Sequence, residues 1–189
     1  NRIAESTKLY DRTGTVLLYE LYGEQRRTVV PPEQIPDVVH NATLAVEDRN
    51  FYNHAAIDWK SIARAFIANV MHGGVVQGGS TITQQLVKNA LLTPDRTIRR
   101  KIREFTLSVL VELLYKKDQI LELYLNQVPY GGTAYGIEAA AQTYFGKPSK
   151  NLSLAEAALL AGLPEAPTTN SPFGSHPEYA LERQKKILS

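Results

Sequence analysis

The sequence contains no cysteine, which excludes disulfide staples, thiolate metal sites and cysteine nucleophiles. It has one methionine and one tryptophan. No apolar run approaches the roughly 18 residues that a membrane-spanning helix needs. There is also no sustained alternation of strand and helix patterns, which argues against a doubly wound sheet and the nucleotide-sugar enzymes built on one. Neither sign of charge is in excess: 21 Lys and Arg stand against 19 Asp and Glu, a net of +2. Without a basic surface overall, nucleic acid is not expected as a partner. What the chain does have is 189 residues, 43% of them hydrophobic, enough for one sizeable core and, by length, a single domain over 1–189. It opens on Asn1 and stops within the helical pattern Tyr179 to Leu188, so a piece of a longer protein is expected.

The first 30 residues read as β-rich and 36–189 as a helical body. Lys8-Leu9-Tyr10 and Thr15 to Glu20 flank the turn Asp11-Arg12-Thr13-Gly14, the pattern of a hairpin. Pro31, Pro32 and Pro36 lead into a helix from Asp37 to Val46, with Val38, Val39, Ala42, Leu44, Ala45 and Val46 facing inward. Asp58 caps a second helix through Ile62, Ala63, Phe66, Ile67 and Val70, and Trp59 at its start reads as core. Four glycines between Gly73 and Gly79 predict a mobile loop. Thr81 with Gln84, and Ser153 with Glu156, have capping-box spacing and predict two further helix starts, the latter opening a helix to Ala161. Between them a long helix is expected from about Thr97 to Tyr115, its buried face made of Ile98, Ile102, Phe105, Val109 and Leu113. Shorter helices are expected from about Asp118 to Asn126 and from about Thr133 to Tyr144.

Two features carry chemistry. Glu47 leaves the first helix beside apolar side chains, and such surroundings can push a carboxyl above its ordinary value of about 4.3, as proton-transfer chemistry requires. A helix-end Glu bonded to backbone is the bland alternative. The second feature is the run from Lys88 to Glu104, where Lys88, Arg96, Arg99, Arg100, Lys101 and Arg103 outweigh Asp95 and Glu104 by four charges. A local basic cluster in a near-neutral chain points to one anionic partner at one place. Glu104 lies one helical turn from Arg100 and Lys101, where it can be held ionised by them.

Taken in order, the motifs resemble one family. They are Glu47-Asp48-x-x-Phe51-x-x-His54, Gly78-x-Ser80-Thr81-Ile82-Thr83-Gln84-Gln85, Arg100-Lys101-x-x-Glu104, and Lys117-x-x-Ile120-Leu121-Glu122-x-Tyr124-Leu125-Asn126. These are similar to the four central signatures of peptidoglycan glycosyltransferases, glycosyltransferase family 51. Gly136-Ile137-x-Ala139-Ala140 and Tyr144-Phe145-Gly146-Lys147 extend the likeness, which covers about Thr28 to Leu188. Two positions depart from it: Ala56 stands where Gly is usual, and Gln184 where a second Arg is usual.

The resemblance implies a mainly α, lysozyme-like helical domain with a small N-terminal β-hairpin. It also implies a membrane-anchored parent at the extracytoplasmic (periplasmic) face of the bacterial cell membrane, a C-terminal transpeptidase domain being one continuation of such a parent. The implied reaction transfers a glycan linked to polyprenyl diphosphate onto the GlcNAc 4-hydroxyl of lipid II, inverting to a β-1,4 bond. A lysozyme-like or lytic transglycosylase that cleaves peptidoglycan is the alternative. By match to the motifs, Glu47 is the general base, a role contributing on the order of 10²- to 10⁴-fold in rate. Glu104 is the second carboxylate, orienting cations or helping to hold a divalent ion (Mg2+ or Mn2+). Ser80, Thr81, Gln85, Lys88, Arg96, Arg100 and Lys101 are expected to bind substrate, with the N-terminus of the Thr81 helix offering N–H groups to an anion. Asp48, Phe51 and His54 are expected to shape the turn that holds Glu47. Glu122, Tyr124 and Asn126 read as structural.

Overall fold

The computed structural model describes residues 5–23, 25–72, 79–92 and 97–189, with only the backbone described at Ser61, Phe66 and Asn69. The expected glycine-rich loop at 73–78 and the candidate Arg96 lie outside the described residues. The chain is mainly α-helical with a small N-terminal hairpin, as the sequence predicts. It divides into two compact units, one formed by 1–46 with 125–189 and the other by 47–124. The divisions fall inside helices α1 (Asp37–Glu47) and α5 (Lys117–Gln127).

In the first unit, β1 (Thr7–Tyr10) and β2 (Leu17–Leu21) pair antiparallel, Thr7 opposite Leu21. The Asp11 carboxylate holds their turn by accepting from the backbone N–H groups of Thr15 and Val16, both at 3.0 Å. A second sheet has the order β3 (Arg26–Arg27), β5 (Ala134–Tyr135), β4 (Pro129–Gly131), with β3 parallel and β4 antiparallel to β5. Strand β5 thus takes the first residues of the stretch expected to be helical from Thr133. The helix α6 (Ile137–Phe145) starts later than expected because Gly136 lies at φ +80°, and a Cβ there would stand 2.7 Å from the Asn126 carbonyl oxygen. Asn126 itself clasps Val30 at two points, accepting from its N–H at 3.0 Å and donating to its carbonyl at 3.1 Å. Alanine-rich α6 and α7 (Leu154–Ala161) bury Ala139, Ala140, Ala141, Ala157 and Ala158, small side chains that permit close helix approach. The helix α8 (Pro177–Leu188) packs on α7, with Gln184 donating to the Ala155 carbonyl at 2.7 Å.

The second unit contains a 3-10 turn (Phe51–Asn53) and helices α2 (Trp59–His72), α3 (Ile82–Leu91) and α4 (Ile98–Leu114). Its buried side chains include Phe51, Ile82, Leu86, Val87, Ile120, Leu121 and Tyr124. Helices α3 and α4 pack antiparallel: Thr83 at the start of one donates to Glu112 near the end of the other at 2.5 Å.

Several packing expectations are overturned. The α4 stripe of Ile98, Ile102, Phe105, Val109 and Leu113 is not buried; these residues are 38–82% exposed, and the buried α4 positions are Glu104 and Ser108. Periodicity locates an apolar stripe but does not say what covers it, and α3 packs on the flank that carries Glu104, Ser108 and Glu112. Trp59 is likewise not core but 67% exposed. It is the first residue of α2, beside Asp58, whose carboxylate accepts from Lys60 N–H at 3.0 Å. In α1 the buried residues are Val39, Ala42 and Thr43, while Ala45 faces out. No helix among the described residues is long and apolar enough to cross a membrane.

The capping box at α7 yields a stability prediction. Glu156 accepts from the N–H and hydroxyl of Ser153 and from Lys147, each at 2.7 Å. Lys147 first, then Ser153, holds its carboxyl down from 4.5 to about 2. A carboxyl lowered on folding stabilises the fold above its unfolded value, and that contribution fades as pH falls from 4.5 towards 2. Glu156→Ala is expected to lower Tm at pH 7 by about 2–4 °C. Thermal melts should also show the deficit shrinking as the pH is lowered through that window.

Candidate active site

Glu47 is the last residue of α1, not the residue after it, so a helical backbone carries it. That end of a helix presents carbonyl oxygens and the negative end of the macrodipole, which oppose a carboxylate. The opposition is offset by Gln85, whose side-chain Nε2 donates to Glu47 Oε2 at 2.6 Å. Gln85 lies in the first turns of α3, and its Oε1 accepts from the Tyr124 hydroxyl at 3.3 Å.

The next residue, Asp48, is buried and ties two elements together. One oxygen accepts from His54 Nε2 at 2.6 Å, the other from the backbone N–H of Ile82, the first residue of α3, at 3.2 Å. A carboxylate at a helix N-terminus is favoured by the dipole, by up to ~2 kcal/mol in partly buried geometries. Phe51 is fully buried and meets the rings of Tyr52 and His54 edge-on at 5.3 and 6.3 Å. Lys117 Nζ stands 4.4 Å from the Phe51 ring centroid and also donates to Glu112 at 2.8 Å. Tyr52 donates to Asp118 at 2.9 Å, and burial, followed by that contact, pushes its phenol up. Asp48, Phe51 and His54 thus build the turn next to Glu47.

The expected binding residues separate into three groups. Ser80 is exposed. Thr81 is buried; its hydroxyl donates to the Ala56 carbonyl at 2.8 Å and accepts from Gln84 N–H at 3.3 Å, completing a capping box with Gln84. With Ile82 N–H on Asp48 and Gln84 N–H on Thr81, two of the N–H groups expected to face a ligand at this helix end are engaged within the protein. Ala56, where Gly is usual, is buried and supplies the carbonyl that anchors Thr81. Among the cations, Lys88 is exposed on the last turn of α3, and Lys101 pairs with buried Glu104. Arg100 is half-buried, and its Nε is buried with no hydrogen-bond partner among the described residues.

Tyr124, Thr83, Glu112 and Lys117 also join this network, and the sequence alone does not place them there. Tyr124 sits within one of the family-like motifs, but its helical spacing among leucines hides the reach of its hydroxyl. Glu112 and Thr83 meet only because α3 and α4 run antiparallel. Among the described residues no group of three or more His, Asp or Glu side chains is arranged to hold a metal ion. Chemically, the unit offers a fixed carboxylate able to accept a proton and a basic helix able to face an anion.

Known proteins share this sequence and fold. A family model described as Transglycosylase matches residues 14–189. Penicillin-binding protein 1A of Aquifex aeolicus is 52% identical over 184 residues, 97% of this chain and 25% of that protein. Penicillin-binding protein 1F of Bacillus subtilis is 46% identical over 183 residues, again 97% of this chain and 25% of the relative. The chain thus spans about a quarter of the length of these relatives. The crystal structure of penicillin-binding protein 1A from Haemophilus influenzae superposes with a TM-score of 0.52 at 28% identity, covering 100% of this chain and 18% of that one. Because the likeness runs over nearly the whole chain, the chain belongs to the transglycosylase family, as a peptidoglycan glycosyltransferase domain of the kind carried by class A penicillin-binding proteins.

Proposed function

We propose that this domain polymerises glycan strands from lipid II at the extracytoplasmic (periplasmic) face of the bacterial cell membrane, within a longer protein that also carries a transpeptidase domain. The observation that carries the reading is the Glu47 carboxylate held by Gln85 in the same compact unit as the basic helix α4. Glu47 removes the proton of the GlcNAc 4-hydroxyl of lipid II as that oxygen attacks the anomeric carbon of the donor glycan. The bond from that carbon to the diphosphate breaks, polyprenyl diphosphate leaves with the electron pair, and the α-linked donor becomes a β-1,4 bond. A sugar hydroxyl is a poor nucleophile at neutral pH, so a positioned base is needed. Charge grows on the departing diphosphate, and donors that meet it more closely in the transition state lower the barrier. Arg100, with its buried Nε, is the best placed of them, joined by Lys88 and Lys101. Glu104 holds Lys101 and acts as no nucleophile, because single-step inversion has no covalent intermediate.

Contact with the membrane is supported by the exposed apolar surface of the second unit. Ala55, Ile57 and Trp59 line a groove of about 340 Å³ together with Phe105, Val109 and Leu113 of α4. Ile67, Val70 and Met71 of α2 are also exposed. An exposed apolar face of this extent marks an interaction site, and a lipid-linked substrate sets the membrane as its partner.

Glu47→Gln is expected to abolish polymer formation from lipid II, by at least ~100-fold, while leaving substrate binding intact. Substantial residual polymer on gels would remove Glu47 from the role of base, and release of fragments from finished peptidoglycan would favour the lytic alternative. Arg100→Ala is expected to lower kcat/KM by about 10- to 100-fold, the loss of one charged hydrogen bond in the transition state. An unchanged value would detach Arg100 from the leaving group. Trp59 is the single tryptophan, so its emission should shift to the blue on adding phospholipid vesicles, and Leu113→Glu should weaken that shift.

A further inference from the structure

We infer that Tyr124 is a positioning residue for the base, acting through Gln85; this rests on the reading of Glu47 as that base. A primary amide is ambivalent. Gln85 can turn either its oxygen or its NH2 towards Glu47, and the two orientations have nearly the same shape. A carboxylate only accepts, so the NH2 must face it, at the observed 2.6 Å; the flipped amide would set oxygen against oxygen. Glu47 sits at a helix C-terminus, where the nearby helical backbone presents carbonyls rather than N–H donors. The orientation of Gln85 therefore decides whether the amide holds the carboxylate or repels it.

The carboxylate resolves the ambivalence, and Tyr124 holds the far end of the amide in place. Its side chain is fully buried on α5, and its hydroxyl reaches Gln85 Oε1 at 3.3 Å. A phenol hydroxyl both donates and accepts, so it bonds the far end of the amide in either sense, and the acceptor-only Glu47 carboxylate selects the orientation with the NH2 towards it. The chain Tyr124 Oη–H to Gln85 Oε1, then Gln85 Nε2–H to Glu47 Oε2, has one consistent direction of donation. Packing locks both ends: the ring of Tyr124 in the core, and Gln85 on a helix whose start is fixed by the Thr81 capping box and by Asp48. The tyrosine hydroxyl thus tethers the Gln85 amide where its NH2 reaches the Glu47 carboxylate. A phenylalanine would fill the same volume and lose that tether.

The test is a double-mutant cycle on the membrane-reconstituted enzyme, with lipid II as substrate and Glu47→Gln as control. Tyr124→Phe is expected to reduce kcat about five- to tenfold at unchanged KM, because the fraction of Gln85 side chains seated on Glu47 falls. Gln85→Leu is expected to reduce kcat further, and adding Tyr124→Phe to it should cost nothing more. Wild-type kcat in Tyr124→Phe, or losses that simply multiply in the double variant, would overturn the inference. If Glu47→Gln retains activity, it is the base assignment that fails; if Glu47→Gln is inactive and Tyr124→Phe is normal, the relay alone fails. Should Tyr124→Phe not fold, the question passes to the folded wild-type protein with labelled glutamine side chains. Slowed exchange of the Gln85 amide protons supports the relay, and exchange at the rate of a free side chain overturns it.

Discussion

The carboxylate of Asp48 is the interaction on which the rest of the second unit depends. With one oxygen on the first N–H of α3 and the other on His54, it fixes where a helix begins relative to the residue that precedes it, Glu47. Phe51, buried beneath the same turn and capped by Lys117, keeps the backbone between Asp48 and His54 from adopting another path. Once the start of α3 is set, its first turns carry Gln85 to Glu47 without further choice. The helix dipole of α3, commonly a binding device for external anions, is partly used here by an internal one.

On the proposed reading a division of labour between helices follows. One side of the chemistry, proton acceptance, is assigned to Glu47 and α3; the other, anion stabilisation, to α4. Glu104 is buried and paired with Lys101, so a carboxylate occupies the interior flank of a strongly basic helix and orders one of its cations. Burying an unpaired carboxylate costs on the order of several kcal/mol, and pairing recovers part of that cost. The apolar stripe of the same helix turns outward, so α4 faces the protein with its polar side. A surface helix in water normally has the opposite polarity, and the inversion supports the membrane contact proposed above.

Much of this is legible in the chain's local chemistry. Thr81 with Gln84 and Ser153 with Glu156 announce two helix starts by contacts three residues apart, and both capping boxes form. Thr97 opens α4 where the pattern places it. The N-terminal hairpin follows from its turn. Local rules fail where the deciding contact is distant. Gly136 moves the start of α6 because its backbone presses against Asn126, and the short strands beside it exist only through pairing with Arg26 and Arg27. Trp59 and the α4 stripe read as core because apolar periodicity and burial usually coincide, and here they do not.

The motifs in the sequence carry the resemblance to the family, and that resemblance implies the class of chemistry and the candidates Glu47, Arg100, Lys101 and Glu104. Which of the side chains touch is a matter of tertiary structure alone. Packing set Gln85 against Glu47, turned Thr81 inward to Ala56, joined Asp48 to Ile82 and brought Tyr124 to Gln85. It also left the Arg100 Nε buried without a partner among the described residues. Those contacts join residues tens of positions apart, and no local period encodes them. They arise only when helices pack and each buried donor or acceptor must find a counterpart.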